Sequence, residues 1–250
     1  MTDSSSASAQ PGTGAPAGPA GPACAVLCSS GLDSAVLLAH QARVATVVPV
    51  YVRVGLAWED AERATLDTLL AAPIFADPAS GGVEPLVVLD LDMRDVYPPT
   101  HWAIRGAAPA YDTPDEDVYI VGRNIVLLTK AAIACAYRGV GRIAIGPLAG
   151  NPFPDATPEF FAAMGRALSL GLAHGIAVEA PFATWEKSAV IARGLEIGVP
   201  LDRTLSCMSP VPVDGAWRHC GQCSKCRERR DAFAEADVAD PTTYASASPR

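Results

Sequence analysis

The sequence predicts an α/β protein built on a doubly wound, mostly parallel five-stranded sheet, followed by a C-terminal four-cysteine zinc-binding tail. Short apolar runs rich in β-branched residues alternate with segments whose apolar residues recur at helical spacing. This alternation is typical of a parallel sheet covered by helices on both faces. Glycine or proline separates most of these segments. The tail is predicted by four cysteines that lie close together near the C-terminus.

The first three predicted elements form a βαβ unit. Residues 23–28 are a short apolar run and predict a buried strand that ends before Gly31. A helix is predicted over 33–42, and the β-branched residues of 44–54 predict the second strand. Because proline lacks the amide proton that a central strand needs, Pro49 predicts a bulge or an edge position.

The middle of the chain continues the same alternation. Apolar residues at helical spacing predict helices over 58–69 and 124–137, and the second of these ends at Gly139. The strands predicted from the apolar runs between the helices cover residues 85–91, 141–146 and 176–180.

Two later helices are predicted from their first residues. Pro158 favours the first turn of a helix over 158–174, and Thr184 has the residue type of an N-cap for a helix that runs to Gly198. Prolines and an acidic run interrupt every regular pattern over 92–120. We therefore expect a long loop there that lies over the functional site.

Composition restricts the class of protein. The 250 residues are 50% hydrophobic and 18% charged, with a formal net charge of -8. This acidic balance argues against an extended nucleic-acid surface and against a protein that coats an anionic membrane, while a small tRNA contact remains open. No apolar run approaches the roughly 18 to 20 residues that a membrane span requires.

The predicted organisation has four parts. Residues 1–22 are almost entirely Pro, Gly, Ala, Ser and Thr, and predict a disordered tail without the apolar segment of a secretory signal. We expect an α/β domain over 23–203, a zinc-binding segment over 204–236 and a flexible tail over 237–250. Without an export signal we expect a cytoplasmic protein, where clustered cysteines indicate metal binding or catalysis more than disulfides.

A candidate anion-binding loop lies between the first strand and the first helix. Its residues are Cys28, Ser29, Ser30, Gly31, Leu32, Asp33 and Ser34. At such a position the free backbone N–H groups and the helix dipole favour a phosphate, and Gly31 lets the backbone approach it closely. Asp33 would hold Mg²⁺ or order the loop. The alternative is an ordinary helix N-cap made by Ser30 or Asp33.

Two basic residues have the placement of anion ligands. Lys187 falls in the first turn of a predicted helix, where its charge opposes the helix dipole unless a phosphate is bound. Arg123 follows Gly122 at the start of another helix, and the same argument applies to it. The alternatives are an ordinary exposed lysine and, for Arg123, pairing with the acidic run 115–117.

Four cysteines have the spacing of a metal site. Cys207, Cys220, Cys223 and Cys226 follow the pattern C-x12-C-x2-C-x2-C. A tight turn of this kind places neighbouring thiolates around one ion, and a thiolate from upstream completes a tetrahedron. Zn²⁺ is the predicted metal, with a [4Fe-4S] cluster as the rival and His219 as an alternative ligand. Four thiolates leave no open coordination position, so this zinc would be structural.

The loop resembles the Ser-Gly-Gly-x-Asp-Ser loop of the ATP pyrophosphatase superfamily, with matches at Ser29, Gly31, Asp33 and Ser34. Together with the cysteines, it makes the chain similar to the 7-cyano-7-deazaguanine synthase family of queuosine biosynthesis, from about Cys24 to Phe233. The other segments that carry the resemblance are Gly122-Arg123-Asn124, Phe153-Pro154-Asp155, Pro158-Glu159-Phe160, Lys187, Gly198-Val199-Pro200-Leu201 and Ser206-Cys207.

The chain departs from that family at three places. Ser30 replaces the first glycine of the loop, so the backbone there must avoid the positive φ that glycine tolerates. Ala156 and Thr157 stand where the family usually has Cys-Arg, and the segment 54–58 lacks the family's Gln-Arg-His. A paralogue with an altered substrate is therefore also compatible with the resemblance.

The resemblance implies a fold like that of the adenine nucleotide alpha hydrolases, with an ATP-pyrophosphatase-type domain over 23–203. It also implies ATP-dependent conversion of 7-carboxy-7-deazaguanine and ammonia to 7-cyano-7-deazaguanine. ATP would activate the carboxylate as an acyl adenylate, ammonia would give the amide, and a second activation would allow dehydration to the nitrile. The implied cofactors are ATP, Mg²⁺ and Zn²⁺, and a homodimer is expected.

The residue types are suited to that chemistry. The loop 28–34 would bind the nucleotide, and with Lys187 it would stabilise charge on the leaving pyrophosphate, whose oxygens Mg²⁺ would bridge. Asp33 and Arg123 complete the predicted catalytic group. Asp155 is the candidate ligand for the amino and N–H edge of a purine-like ring, and a purely structural turn is its alternative.

Two other hypotheses remain open. Another ATP pyrophosphatase, such as an amidoligase or a tRNA-modifying sulfurtransferase, would release pyrophosphate without making the nitrile. The charge of -8 weakens the sulfurtransferase, which needs a basic face for RNA. A non-enzymatic zinc protein would use the cysteine tail to bind a partner, and its loop would only cap a helix.

Overall fold

The structure is a computed structural model that describes residues 22–77 and 82–247. The strands of its main sheet are β1 (Cys24–Leu27), β2 (Val47–Arg53), β3 (Val87–Asp90), β4 (Arg142–Ala144) and β5 (Ala177–Glu179). The helices are α1 (Leu32–Ala42), α2 (Glu59–Leu70), α3 (Pro73–Ala76), α4 (Trp102–Arg105), α5 (Arg123–Arg138), α6 (Pro158–Leu172), α7 (Lys187–Glu196) and α8 (Ser224–Glu235). Among the described helices, none combines the length and apolarity needed to cross a membrane. The predicted disordered tail 1–22 lies outside the described residues except for Pro22.

The sheet confirms the predicted α/β architecture. In the described part of the chain its pairings are all parallel, and the strand order is β3-β2-β1-β4-β5. The chain moves outward from β1 to β3 and then returns to β4 on the other side of β1. The strand order therefore reverses between β1 and β4. Open α/β sheets leave a crevice at such a point, at the carboxyl ends of the strands.

Helices on both faces of the sheet produce two apolar cores. Along β1, Cys24 and Val26 face one core, while Ala25 and Leu27 face the other. The first core contains side chains of α1, α7 and α8, and the second contains side chains of α5 and α6. Burial on both faces explains why the strands are continuous apolar runs in the sequence.

Pro49 lies in an interior strand, so the predicted edge position is wrong. Its strand, β2, has β1 on one side and β3 on the other. On the β3 side Val47 pairs with Val83. The next pair on this side is Val50 with Val87, so one extra residue lies opposite the stretch that contains Pro49. The Val47 backbone N–H donates to Gly82 on the β3 side of the strand. Because alternate residues of a strand donate to the same side, the Pro49 nitrogen also points to the β3 side, at the interruption of the ladder. Proline therefore removes no hydrogen bond from the sheet there.

The start of α7 also differs from the prediction. Thr184 is not its cap: the N-cap is Glu186, no side chain caps the helix, and Lys187 is its first residue. In contrast, α6 begins at Pro158 as predicted. The hydroxyl of Thr157 caps α6 by accepting a backbone hydrogen bond at 3.1 Å.

The C-terminal segment packs on itself around α8. Strands β6 (Val211–Val213) and β7 (Ala216–Arg218) form an antiparallel hairpin before the helix. The described part of the segment expected to be a flexible tail, residues 237–247, lies against this unit. Tyr244 forms a bridge with His219, and the guanidinium of Arg230 lies 3.8 Å from the centre of the Tyr244 ring.

Candidate active site

A cavity of about 320 Å³ lies at the crevice where the strand order reverses. The predicted loop 92–120 covers it as expected, and its 3-10 turn Asp115–Val118 leads into Tyr119 and Ile120, which line the cavity. The short helix α4, which the sequence did not predict, adds Trp102. The predicted site residues that line the cavity are Cys28, Ser29, Gly31, Leu32, Asp33, Ser34, Arg123, Asp155, Lys187 and the predicted metal ligand Cys207.

Serine hydroxyls fix the turn from β1 into α1. Ser34 Oγ accepts a hydrogen bond from the Ser29 backbone N–H at 3.1 Å, and Ser29 Oγ accepts one from the Gly31 N–H at 3.0 Å. Gly31 is the N-cap of α1, and no side chain caps the helix, so neither Ser30 nor Asp33 has the role of the capping alternative. The N-terminus of α1, with its partial positive charge, therefore lines the cavity.

Ser30 is fully buried and lies behind the loop, away from the cavity wall. Its φ is not positive, and its carbonyl oxygen accepts a hydrogen bond from the Leu205 N–H at 2.7 Å. Gly31 is the crowded position, because an added Cβ would lie 3.1 Å from Ser29 Oγ. The loop thus accommodates the serine with an ordinary backbone, as the sequence predicts for a non-glycine residue.

Lys187 and Asp33 meet at the cavity wall, and Glu228 from α8 joins them. Lys187 Nζ lies 3.1 Å from Asp33 Oδ2 and also contacts Glu228, which in turn contacts Lys225. Burial lowers the pKa of Lys187, but the two carboxylates outweigh it and raise this pKa above its usual range. Asp33 Oδ1 is buried and has no hydrogen-bond partner among the described residues, so it can accept a ligand.

Glu228 is a site residue that sequence reasoning did not identify. It lies two positions after Cys226, in a helix whose N-cap is Cys223. Burial raises the pKa of Glu228, but Lys187 and Lys225 outweigh it and hold this pKa at about 2. The ionised carboxylate therefore connects the cysteine segment to the anion-binding loop.

Arg123 is the first residue of α5 and lines the cavity, as predicted. Gly122 precedes it with a φ of 74°, in the left-handed region that favours glycine. Its Nε is buried without a hydrogen-bond partner in the described chain. The acidic run does not neutralise it, because Asp115 pairs with Lys225 at 3.9 Å and no described ion pair joins Arg123 to residues 115–117. A buried donor in this state is suited to an anionic ligand.

Asp155 binds the start of α5. Its Oδ2 accepts a hydrogen bond from the Asn124 backbone N–H at 3.0 Å, and its carbonyl oxygen accepts one from the Asn124 side-chain amide at 2.9 Å. Asp155 thus caps α5 from a separate segment, a role that the sequence did not predict. Burial raises the pKa of Asp155, while the Asn124 hydrogen bond opposes this rise. Nearby, the rings of Phe153 and Tyr119 stack at the cavity wall with centroids 5.2 Å apart.

Another wall of the cavity, which sequence reasoning missed, consists of Tyr51, Trp58, Glu62 and Trp102. Glu62 is 8% exposed and accepts a hydrogen bond from the Tyr51 hydroxyl at 2.9 Å. The rings of Trp58 and Trp102 stack with centroids 5.7 Å apart. Burial raises the pKa of Glu62, against the lowering effect of Arg123. The one signal in the sequence is the four-residue spacing of Trp58 and Glu62, which is equally typical of core packing.

The four predicted metal ligands come together in one buried group, with their sulfur atoms within 4.8 Å of one another. The Sγ atoms are 3.9 Å apart for Cys207–Cys223, 3.9 Å for Cys220–Cys226 and 3.5 Å for Cys223–Cys226. A tetrahedral site with metal–sulfur bonds of about 2.3 Å has edges of about 3.8 Å, so the group fits one ion. His219 lies outside this group, and its Nε2 accepts a backbone hydrogen bond at 3.0 Å.

Cys28 has the environment of a core thiol despite its place at the cavity. Burial raises its pKa to about 12. Its sulfur lies 3.6 Å from the Val50 carbonyl oxygen, to which it donates. A nucleophilic cysteine needs a lowered pKa, so the surroundings of Cys28 do not favour that role.

Known proteins resemble this chain over most of its length. The family described as queuosine biosynthesis protein QueC matches residues 23–237. A 7-cyano-7-deazaguanine synthase from Syntrophotalea carbinolica is 33% identical over 241 residues, which cover 88% of this chain and 95% of the relative. A relative of the same name from Thiobacillus denitrificans is 33% identical over 232 residues, 90% of this chain and 99% of the relative. Among solved structures, a predicted subunit of tRNA methyltransferase from Methanocaldococcus jannaschii aligns with a TM-score of 0.42 at 13% identity, over 87% of this chain and 89% of that chain.

Proposed function

Because the chain belongs to the QueC family of queuosine biosynthesis proteins, we propose that it is the ligase that forms 7-cyano-7-deazaguanine from 7-carboxy-7-deazaguanine, ammonia and ATP. The observation that carries the proposal is the contact of Lys187 with Asp33 beside the N-terminus of α1. This contact joins two cavity walls that are 154 positions apart in the chain. A phosphate site at the reversal of strand order is the arrangement that nucleotide chemistry needs.

The proposed reaction begins when a carboxylate oxygen of the substrate attacks the α-phosphorus of ATP. A bond forms between this carboxylate oxygen and the α-phosphorus. The bond between the α-phosphorus and the oxygen that bridges it to the β-phosphorus breaks, and pyrophosphate leaves with the electron pair of that bond. Ammonia then forms a C–N bond with the acyl carbon, and AMP leaves, which gives the amide. Attack of the amide oxygen on a second ATP releases pyrophosphate again, and loss of AMP and two protons leaves the nitrile.

The cavity residues supply positive charge where these steps develop negative charge. We propose that the backbone N–H groups at the start of α1 and the ammonium group of Lys187 bind the phosphates that leave as pyrophosphate. Arg123, whose buried Nε has no partner among the described residues, would bind the substrate carboxylate or the α-phosphate. Asp33 holds Lys187 in place through its Oδ2.

The proposed metals follow from the donor atoms. Asp33 Oδ1, which is buried without a described partner, is an oxygen ligand of the type that Mg²⁺ prefers. When bound there, Mg²⁺ would offset charge on phosphate oxygens. We propose Zn²⁺ for the four thiolates, because their spacing fits tetrahedral zinc and leaves no open coordination position.

We place the deazapurine ring between the aromatic pair Phe153–Tyr119 and Asp155. Offset stacking on these rings would stabilise a planar heterocycle. Asp155 Oδ1 has one long contact, 3.4 Å from the Asn124 amide, and keeps capacity to accept a hydrogen bond from the ring edge. Family membership also leads us to propose a cytoplasmic homodimer.

A second candidate is a paralogous ATP pyrophosphatase, an amidoligase or a tRNA-modifying sulfurtransferase, that acts on another substrate. One observation favours it: the segment 54–58, where the chain departs from the family pattern, contributes Trp58 to the cavity wall. The other departure is less informative, because the side chain of Thr157 caps α6 and has a structural role.

The test is mass spectrometry of the products formed from ATP, Mg²⁺, ammonium and 7-carboxy-7-deazaguanine by the zinc-replete protein, with Lys187→Met as the control of strongly reduced activity. The nitrile is the expected product. AMP and pyrophosphate without the nitrile would favour the paralogue. Absence of ATP turnover would overturn both candidates and favour the non-enzymatic zinc protein.

A further inference from the structure

We propose that Glu62 and the stacked rings of Trp58 and Trp102 bind the ammonium ion, and that Glu62 takes its proton before the nitrogen attacks the acyl adenylate. The inference rests on the proposed function, because it assigns the site of the second substrate. Ammonia exists in water mainly as the ammonium ion, whose nitrogen has no lone pair. A ligase that uses it therefore needs a group that binds the cation and accepts its proton.

Glu62 is available for this role, unlike the other acidic side chains of the cavity. Four carboxylates line it within the described chain. Asp33 and Glu228 are paired with lysines, and Asp155 binds the backbone of α5. In the described residues Glu62 has no ion pair within 4 Å, and its Oε2 accepts a hydrogen bond from the Tyr51 hydroxyl at 2.9 Å. A buried carboxylate without a cation favours a cationic ligand.

The surroundings of Glu62 suit a small cation. One lone pair of Oε2 accepts the Tyr51 hydroxyl, and a carboxylate has further acceptor positions. The faces of aromatic rings attract cations, and tryptophan does so most strongly. Trp58 is 4% exposed and stacks nearly parallel to Trp102, with 15° between the ring planes.

The position of Glu62 brings the ion to the reacting centre. Glu62 lines the same cavity as Cys28, where the anion-binding loop begins, and as Arg123. Arg123 is the residue proposed to bind the substrate carboxylate or the α-phosphate. An ammonium ion at Glu62 would therefore share the cavity with the loop proposed to bind the nucleotide and with the group that becomes the acyl carbon.

The proposed step balances in atoms and charge. One proton passes from the ammonium ion to the Glu62 carboxylate, which becomes a carboxylic acid. The freed lone pair forms the C–N bond to the acyl carbon, and the acyl C–O bond breaks, so that its electron pair leaves with AMP. A second proton leaves the nitrogen for solvent and gives the neutral amide. Burial raises the pKa of Glu62, which makes it a better proton acceptor than an exposed glutamate.

The experiment uses Glu62→Gln, which keeps the shape of the side chain and an acceptor for the Tyr51 hydroxyl but removes the charge. The matched control is Glu59→Gln. Glu59 lies one turn earlier in α2 and is 4% exposed, but it binds the backbone N–H groups of Val54 and Gly55 and does not line the cavity. Both variants lose one buried carboxylate, so a general effect of that loss would appear in both.

Two half-reactions are measured for the zinc-replete proteins. The exchange of pyrophosphate into ATP with 7-carboxy-7-deazaguanine and without ammonium reports adenylation alone. Amide formation against ammonium concentration reports the KM and kcat of the second step. For Glu62→Gln we expect exchange within about twofold of the wild type, a higher KM for ammonium, and amide formation lower by about 10²-fold or more. Hydroxylamine, which is largely neutral at the assay pH, should restore most of the rate.

An unchanged KM for ammonium, or equal losses in exchange and amide formation, would overturn the inference. So would a Glu59→Gln variant with the same rise in the KM for ammonium. Absence of exchange in the wild-type protein would overturn the proposed function itself, and the assignment of Glu62 with it. The exchange assay thus separates the two failures.

Discussion

The contact of Lys187 with Glu228 predicts how three variants will behave: Lys187→Met, Glu228→Gln and the double variant. Glu228 does not belong to the anion-binding loop, and we infer that it acts on the reaction only by holding Lys187. The effects of the two single substitutions should therefore combine in one way for folding stability and in another way for catalysis. In the double variant the stability losses should be smaller than their sum, and the activity loss should equal that of Lys187→Met alone.

The magnitudes follow from burial. Removal of one partner of a buried ion pair costs about 3 to 5 kcal/mol. The side chains of Lys187 and Glu228 keep 13% and 25% of their exposure. Lys187→Met leaves Asp33 and Glu228 facing each other without a cation, which lowers the free energy of unfolding. Because both side chains of the pair are partly exposed to solvent, we expect a loss of about 2 to 3 kcal/mol, less than for a fully buried pair. Removal of the second charge should recover about 1 to 2 kcal/mol of this loss. Pyrophosphate release should fall about 10²-fold in Lys187→Met and less in Glu228→Gln.

The assays are urea denaturation of the zinc-replete proteins and the initial rate of pyrophosphate release at saturating ATP. The free energy of unfolding of the four proteins gives the coupling energy directly. A rate for the double variant that equals the product of the two single losses would refute the positioning role of Glu228. Additive stability losses would show that the two side chains do not interact in solution.

Three further predictions concern the loop, the metal and pH. In Gly31→Ala the added Cβ would lie 3.1 Å from Ser29 Oγ, so we expect a higher KM for ATP. The φ of −64° suits alanine, so the free energy of unfolding should stay within about 1 kcal/mol of the wild type. An unchanged KM for ATP would contradict the crowding at this position. A chelator that removes the proposed Zn²⁺ should lower the melting temperature and weaken the proposed nucleotide binding, because α8 follows Cys223, a proposed ligand, and carries Glu228, the partner of Lys187. Metal analysis, a thermal scan and titration with a fluorescent ATP analogue would check this, and unchanged affinity in the metal-free folded protein would contradict it. Burial, followed by the charges of Arg193 and Arg43, lowers the pKa of His40 below its usual 6.5. As the pH falls, His40 therefore binds a proton in the unfolded chain before it does so in the folded protein, and the free energy of unfolding should decrease below about pH 6.5. The decrease should be smaller in His40→Gln. Urea denaturation at several pH values would measure it, and the same pH dependence in the variant and the wild type would contradict the prediction.

Local chemistry in the sequence was sufficient to predict many of the residues that the structure brings together at the cavity and in the cysteine group. A glycine and two hydroxyls between a strand and a helix identify the loop, because backbone geometry at that junction restricts the residue types. Lys187 is identifiable because a lysine at a helix N-terminus is unfavourable without an anion. The cysteines are identifiable because the spacing of four thiolates is set by one ion. Each of these signals lies within a few residues of chain.

The residues that were missed depend on contacts between distant segments. Glu228 is an ordinary charged residue of α8 until the fold places it against Lys187, 41 positions away. The capping role of Asp155, which the sequence predicts only as a ring ligand or a turn residue, was missed because the Asn124 amide that it binds lies 31 positions earlier. Thr184 was mistaken for a cap because residue type alone does not fix which of several neighbouring residues begins a helix. For Pro49 the sequence left a bulge and an edge position open, because the extra residue beside it lies in another strand.

The charges around the loop explain why the proposed nucleotide site would need a cation with its ligand. Asp33, Glu228 and Asp115 carry three negative charges, and Lys187 and Lys225 carry two positive charges, so the described ion pairs leave this group with a net charge of −1. A triphosphate brings several negative charges to it. The N-terminus of α1 offers only about half a positive charge, and Arg123 one more. The protein alone therefore does not balance the phosphates, and the free oxygen of Asp33 lies where an added divalent cation would make up the difference. The two carboxylates that hold Lys187 in position are in this sense also the reason why the proposed ATP must arrive with Mg²⁺.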